Sequence, residues 1–405
     1  MDEQHAADDG TEIPEHLRAG DEQPRNSMLL SLLRQHSSRR ILDIPEGDLG
    51  FAEQMPYPFM ALVGQVEMRT ALLLAVVNPN VGGVLLIGPR GIGKTTAARG
   101  LSDLLPYVEQ AACDFGCQVD EPRPEGQPGY CEQCGMRLRE GNLPPVAMEP
   151  VRLIELPLNA QLGDVVGGIN ERVALERSVV RLDRGILSRA DQNILYIDEV
   201  NLLPNVIIDA ILDAAAQGQY TVRRGAMRAT YRSRFILIGS MNPEEGNLRP
   251  QILDRFGLRC VVTGLVDPEE RRLVYQLVRR YKENRRGFID AYTEDTFLAR
   301  EDVIIAREIL PDVALSEDAL DFGMQLVESL RLHSHRAEFS MFEAARAYAA
   351  LDAREEATVD DVTLVAPLAL RMRQSPFIDS FIDNQAEEDA RIQALIEELR
   401  GGIDE

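Results

Sequence analysis

Gly88-Pro89-Arg90-Gly91-Ile92-Gly93-Lys94-Thr95 follows an apolar run, Val81 to Ile87, and precedes a stretch of helical composition from Thr95 to about Leu105. Its glycines let backbone N–H groups wrap phosphates with no Cβ in the way. Lys94 then reaches the β- and γ-phosphates, and the Thr95 hydroxyl binds Mg²⁺. A helix that opens at this point turns its positive end toward the anion. Strand, loop and helix in that order predict a Mg·ATP site with Gly88, Pro89, Arg90, Gly91, Ile92, Gly93, Lys94, Thr95 and Thr96 as its cradle.

About a hundred residues downstream, Asn193-Ile194-Leu195-Tyr196-Ile197-Asp198-Glu199 is an apolar strand that ends in two carboxylates. Beside a phosphate loop, Asp198 is placed to hold Mg²⁺ together with Thr95, and Glu199 to polarise the attacking water. Ile238 to Pro243 reads as a further strand ending in Asn242. That side chain either orients the water or simply forms an Asn-Pro turn. Arg255, in Leu253-Asp254-Arg255-Phe256, either reaches the γ-phosphate of a neighbouring subunit or makes a structural salt bridge.

Further apolar runs occur at Val151 to Leu158, Phe235 to Ile238 and Leu258 to Val262, with helical segments at Glu67 to Val77 and Val206 to Ala216. Short apolar strands separated by helices predict an α/β fold, a parallel five-stranded sheet covered on both faces. After Gly264 the pattern is helices only. Asp267 to Glu283, Glu294 to Leu310, Ser316 to Leu332, Ser340 to Arg354 and Thr358 to Arg373 carry apolar residues at three- and four-residue spacing. Thr358 with Asp361 reads as a capping box. The expected division is an acidic, mostly disordered arm (1–55), a nucleotide-binding α/β domain (56–265), an all-helical lid (266–375) and an acidic C-terminal helix and tail (376–405).

The chain has 405 residues and a net charge of −23, with 45% apolar and 27% charged residues. That acidity argues against a nucleic-acid duplex or an anionic membrane as the main partner, because both are bound through Lys and Arg. No apolar run approaches the roughly 20 residues that span a bilayer. The acidic N-terminus is unlike a signal peptide, so the expected location is the cytoplasm.

The chain resembles the AAA+ ATPase subunit of magnesium chelatase. The resemblance covers roughly residues 56 to 375. It rests on Tyr57-Pro58-Phe59, Val63-Gly64-Gln65, Gly82 to Gly88 with the phosphate loop, Leu156-Pro157-Leu158 and Tyr196 to Leu203. Gly239 to Gly246, Leu248 to Gln251 and Leu253 to Gly257 match as well. The resemblance implies an AAA+ fold, with Val63 and Gly64 at the adenine and Asn242 as sensor 1. It implies Arg255 as an arginine finger acting in trans, and Arg336 as sensor 2. The segment around Gln219 to Tyr231 (219–234 at its widest) would be the hairpin insertion of this clade. Relatives of this kind form rings, commonly hexamers, stacked on a second AAA+ subunit with an integrin-like domain. Their porphyrin sits on a separate large subunit. The implied function is therefore an ATP-driven motor for Mg²⁺ insertion into protoporphyrin IX in (bacterio)chlorophyll synthesis. A cobalt-chelatase ATPase of cobalamin synthesis and a MoxR-type chaperone for another metalloenzyme are the alternatives.

Cys113, Cys117, Cys131 and Cys134 lie in an inserted segment, 111–137, between the loop helix and the second strand. Two close pairs separated by a short loop suit a tetrahedral thiolate site. Structural Zn²⁺, an iron–sulfur cluster and reactive thiols all remain open readings at this level. Cys260, alone in an apolar strand, reads as a core residue.

Overall fold

The computed structural model describes residues 55–113, 117, 132–168, 184–224 and 227–401. The acidic arm expected before Met55, and Cys131, lie outside the described residues.

Helix α1 (Val66–Val77) leads through a short turn into strand β1 (Val84–Ile87), and α2 (Lys94–Leu101) follows the glycine loop. Strand β1 starts three residues later than its apolar run because Gly82 and Gly83 take φ of 88° and 82°, which only glycine adopts cheaply. Next come β2 (Val108–Ala111), α3 (Glu132–Arg139) and β3 (Val146–Glu149), then β4 (Leu153–Leu156) and β5 (Ile194–Ile197). Helix α4 (Asn205–Gln217) ends at Gly218 in the left-handed conformation. It is followed by a hairpin of β6 (Gln219–Arg224) and β7 (Met227–Arg232), which pairs Gln219 with Arg232. The two strand readings at 235–238 and 238–243 are one strand, β8 (Ile236–Met241). A short helix not expected from the sequence, α5 (Pro250–Arg255), precedes β9 (Leu258–Val261).

Five strands form one sheet in the order β4-β5-β8-β1-β9, every neighbouring pair parallel. Strands β2 and β3 form a separate antiparallel pair that the sequence did not announce.

The helical region comprises α6 (Pro268–Glu283), α7 (Arg285–Ala291), α8 (Thr293–Ile309), α9 (Glu317–Ser329), α10 (Arg336–Leu351), α11 (Val359–Leu370) and α12 (Pro376–Gly401). Their starts are set by side-chain caps. Asp267 accepts from the N–H of Glu269, Ser316 from that of Ala319, and Thr358 with Asp361 closes a full capping box. Helix α10 begins four residues earlier than its periodicity indicates, which places Arg336 in its first turn. The region is not purely helical, since β10 (Ala314–Leu315) pairs with β11 (Glu356–Ala357).

Alternation along the strands sorts the core onto two faces. Leu85, Ile87, Leu195, Ile197 and Leu237 pack against Ile207, Ile208 and Ile211 of α4. Val84, Leu86, Ile194, Tyr196 and Ile238 face the other way, into a cluster that runs through α1 to Val303, Ala344 and Val362 of the helical region. Helix α1 is therefore buried on nearly every side from Met68 to Val77. It is wedged between the sheet and the later helices, and each buried leucine or valine contributes about 1.5–3 kcal/mol. Arginines from the helical region close the same joint. Arg307 donates to the carbonyl of Val76 (2.6 Å), Arg300 to that of Asp103 (2.7 Å) and Arg373 to that of Gly257 (3.0 Å).

Candidate functional site

The carboxyl ends of β1, β5 and β8 open into a cleft of about 930 Å³. Gly91 and Gly93 take φ of 80° and 90°, and a Cβ on either would meet nothing within 4 Å. Their job is backbone conformation and open space, as a phosphate cradle requires. Gly88 is different. A Cβ there would lie 2.1 Å from the carbonyl oxygen of Val262, so this glycine is required by the closeness of the chain just past β9.

Lys94 folds back on the loop, donating to the carbonyl oxygens of Gly88 (2.5 Å) and Pro89 (2.9 Å). Burial pulls its ammonium below the usual lysine range, while Asp198 and Glu199 push the other way. A hydroxyl chain joins the metal-binding candidates. The Tyr196 hydroxyl donates to Asp198 Oδ1 (3.1 Å) and stands 2.9 Å from Thr95 Oγ1. Burial pushes that phenol up to about 12, so it stays protonated. Ser240 donates to the same Asp198 oxygen (2.5 Å) and accepts from the Glu199 N–H (3.1 Å). A hydroxyl and a carboxylate held this close form the hard-oxygen donor set that Mg²⁺ takes alongside phosphates.

Glu199 adopts a left-handed conformation, φ 53°. Its carboxylate accepts from Arg90 Nε (2.8 Å), and Arg90 also bridges to Glu245. Asn242 is buried and lines the cleft while its Oδ1 accepts from the Glu244 N–H (3.2 Å). Asn242 thus forms the turn and also lines the cleft.

The far end of the cleft is apolar. Leu62, Val63, Met68, Leu265, Val274 and Val278 line it, a setting for a flat base. Gly64 does not line it; its backbone packs where a Cβ would lie 2.5 Å from the Leu265 side chain. Arg271, from α6, and Gln65 add polar groups that sequence reasoning missed. Tyr196 and Ser240 were missed as well. Each stands two residues before a predicted site residue on a strand, and so on the same face, which was the available signal.

Arg255 and Arg336 are not in this cleft. Arg255 pairs with Asp213 (2.6 Å) on α4. Arg336 donates to Asp254 Oδ2 (3.2 Å), which also accepts from Ser334, while Oδ1 accepts from Arg373. Burial alone would raise the Asp254 carboxyl; Ser334, Arg373 and Arg336 outweigh it and leave it below the usual range. Both arginines are tied to α5, outside their own chain's nucleotide cleft.

The sulfur atoms of Cys113, Cys117 and Cys134 all lie within 4.8 Å of one another. Cys260 is fully buried in β9, and burial pushes its thiol up.

A "Magnesium-chelatase subunit ChlI homolog" of Methanocaldococcus jannaschii is 42% identical over 327 residues, which is 80% of this chain and 87% of that one. The chain belongs to the magnesium-chelatase ChlI family. The "Magnesium-chelatase 38 kDa subunit" of Acidiphilium rubrum agrees at 39% identity, covering 82% of this chain and 95% of the relative. The profile described as "Magnesium chelatase, subunit ChlI" matches residues 171–251, and that of the AAA lid domain residues 325–395. Among solved structures, a cryo-EM-based assembly of BchI and BchD of magnesium chelatase is 35% identical. It covers 80% of this chain and 99% of that chain, with a TM-score of 0.46. This ChlI-family chain is accordingly an AAA+ ATPase, with the parallel sheet and helical region described above. Among its described residues no helix is long and apolar enough to cross a membrane.

Proposed function

We propose that this chain is the ATP-hydrolysing motor of a magnesium chelatase, driving Mg²⁺ insertion into protoporphyrin IX on a partner subunit for (bacterio)chlorophyll synthesis. The observation that carries the reading is the convergence of Lys94, Thr95, Asp198, Glu199 and Asn242 on one cleft with an apolar far end. Lys94 exchanges two backbone carbonyls for the β- and γ-phosphates. Thr95 and Asp198 hold Mg²⁺ of Mg·ATP, with Tyr196 and Ser240 fixing their orientation. Glu199 leaves Arg90 to activate water, which Asn242 aligns.

Arg255 and Arg336 do not line this cleft and pair with Asp213 and Asp254 instead, which is compatible with their acting on a neighbour's γ-phosphate in a ring, commonly a hexamer. The relatives' names call each of them a subunit. In the same sense, this chain would work with a second AAA+ subunit bearing an integrin-like domain and a large porphyrin-binding subunit. Clustered cysteines suit a reducing compartment, here the cytoplasm. The test is Mg²⁺ insertion into protoporphyrin by the reconstituted subunits, with wild-type chain or Glu199→Gln. The expected result is insertion with wild type only, the variant binding ATP but turning over about 100-fold slower or less. Insertion of Co²⁺ but not Mg²⁺, or normal turnover by the variant, overturns the reading.

A further inference from the structure

Among the described residues between β2 and β3, Ala111, Cys117 and Cys134 form a buried cluster, with Cys113 packed against it. Met136, Leu143, Val146 and Met148 of the same segment are exposed. One alanine and three thiols bury little apolar area, so burial alone contributes little to holding these described residues together. Segments of this kind are usually stapled by a disulfide or a metal.

The geometry around the sulfurs favours the metal. Three Sγ atoms lie within 4.8 Å of one another. In a tetrahedral site with bonds of about 2.3 Å, the sulfurs stand about 3.8 Å apart, so a small contraction brings all three onto one ion. Iron–sulfur clusters spread their cysteines over two or more irons, a wider arrangement. A disulfide joins two sulfurs and does not account for the third.

The surroundings also favour thiolate. The Cys117 N–H donates to Cys113 Sγ (3.4 Å), and Arg184 Nη2 points at Cys117 Sγ from 3.9 Å. Donors and positive charge beside a sulfur stabilise its deprotonated form. Arg184 in turn lies over the Tyr231 ring, 5.6 Å from its centre, so the sulfur cluster is braced against hairpin β6–β7. None of these residues lines the nucleotide cleft.

We propose that Cys113, Cys117 and Cys134 bind one structural Zn²⁺ per chain, separate from the Mg·ATP site, and that this ion ties the chain just after β2 to α3. Each ligating thiol gives its proton to solvent as the ion binds. The sequence supplies a fourth thiol, Cys131, three residues before Cys134 and outside the described residues. It enters the experiment as a variant.

The full chain is purified under reducing conditions without chelator and supplied with ZnCl₂. After desalting, zinc and iron are measured by mass spectrometry. A mercurial then blocks the thiols while a chromophoric chelator follows zinc release. The expected result is about one zinc per chain, released as the thiols are blocked. Cys134→Ser should lose the ion and Cys260→Ser should keep it. A Cys131→Ser chain that loses zinc places the fourth thiol in the site. Reconstitution with Co²⁺ should give thiolate-to-metal charge-transfer bands of a tetrahedral site. Iron in place of zinc overturns the proposal. So does a wild-type chain that holds no zinc, or one whose cysteines are recovered as disulfides from the reduced preparation. Zinc content is read on the unmutated protein, so a misfolded variant cannot mask the outcome.

Discussion

Arg69 lies in α1 with none of its surface exposed, and among the described residues none of its three guanidinium nitrogens has a hydrogen-bond partner. Burial brings its pKa down to about 10, with Glu270 pulling the other way. A buried cation without a hydrogen-bond partner costs desolvation that the attraction of Glu270 only partly offsets. Replacing it with an apolar side chain of similar length removes that cost. Arg69→Met is therefore expected to hold or raise stability, by about 1–3 kcal/mol on the scale of such replacements. Urea denaturation measures it, and a clear loss of stability would show that the guanidinium has a role in the fold. Arg259 makes the contrast. It is equally buried, but its guanidinium donates to the carbonyls of Leu253 and Arg371, so an Arg259 variant leaves carbonyls bare.

At the scale of elements, the approach of strands and turns is set by glycines that have nothing to do with phosphate. Gly257, just before β9, would place a Cβ 1.5 Å from the carbonyl oxygen of Val81. That oxygen is backbone, held in the turn that feeds β1, and cannot swing away. Gly257→Ala should force β1 and β9 apart and cost about 3 kcal/mol or more, as overpacking of a rigid site does. Gly163 serves as the control. It is helical, in Leu162–Val166, and a Cβ there meets nothing within 4 Å. Gly163→Ala should stabilise by about 0.5–1 kcal/mol. Equal thermal midpoints for the two variants would refute the steric account.

For the whole molecule, the placement of two arginines matters most. Arg255 pairs with Asp213 and Arg336 with Asp254, and neither lines the cleft of its own chain. Under the proposed roles, each active site is completed by a residue of a neighbouring chain. Arg255→Ala should bind ATP normally and hydrolyse it about 10³-fold more slowly, the low end of the range for a missing arginine finger. Mixed with Lys94→Ala chains it should recover part of the turnover, since some interfaces then pair an intact loop with an intact finger. Undiminished hydrolysis by Arg255→Ala alone would remove it from the mechanism. The helical region is part of the same body. Its core is continuous with the sheet's, and Val274, Val278 and Arg271 of α6 close the apolar end of the cleft.

Local rules account for what the amino-acid sequence determined by itself. The glycine loop, the carboxylates ending β5, the five apolar strands and the Thr358–Asp361 cap each depend on residues within one element or turn. There period, φ and capping act directly. Strand edges were less legible where glycines bent the chain, as at Gly82 and Gly83. The tertiary structure decided the remainder. It brought Tyr196 between Thr95 and Asp198, paired Arg255 with Asp213 and Arg336 with Asp254, brought in Arg271, gathered three cysteines and set Gly88 against the backbone at Val262. Such contacts join residues many positions apart. They depend on how helices and strands pack against one another, and packing leaves no periodic signature in the sequence.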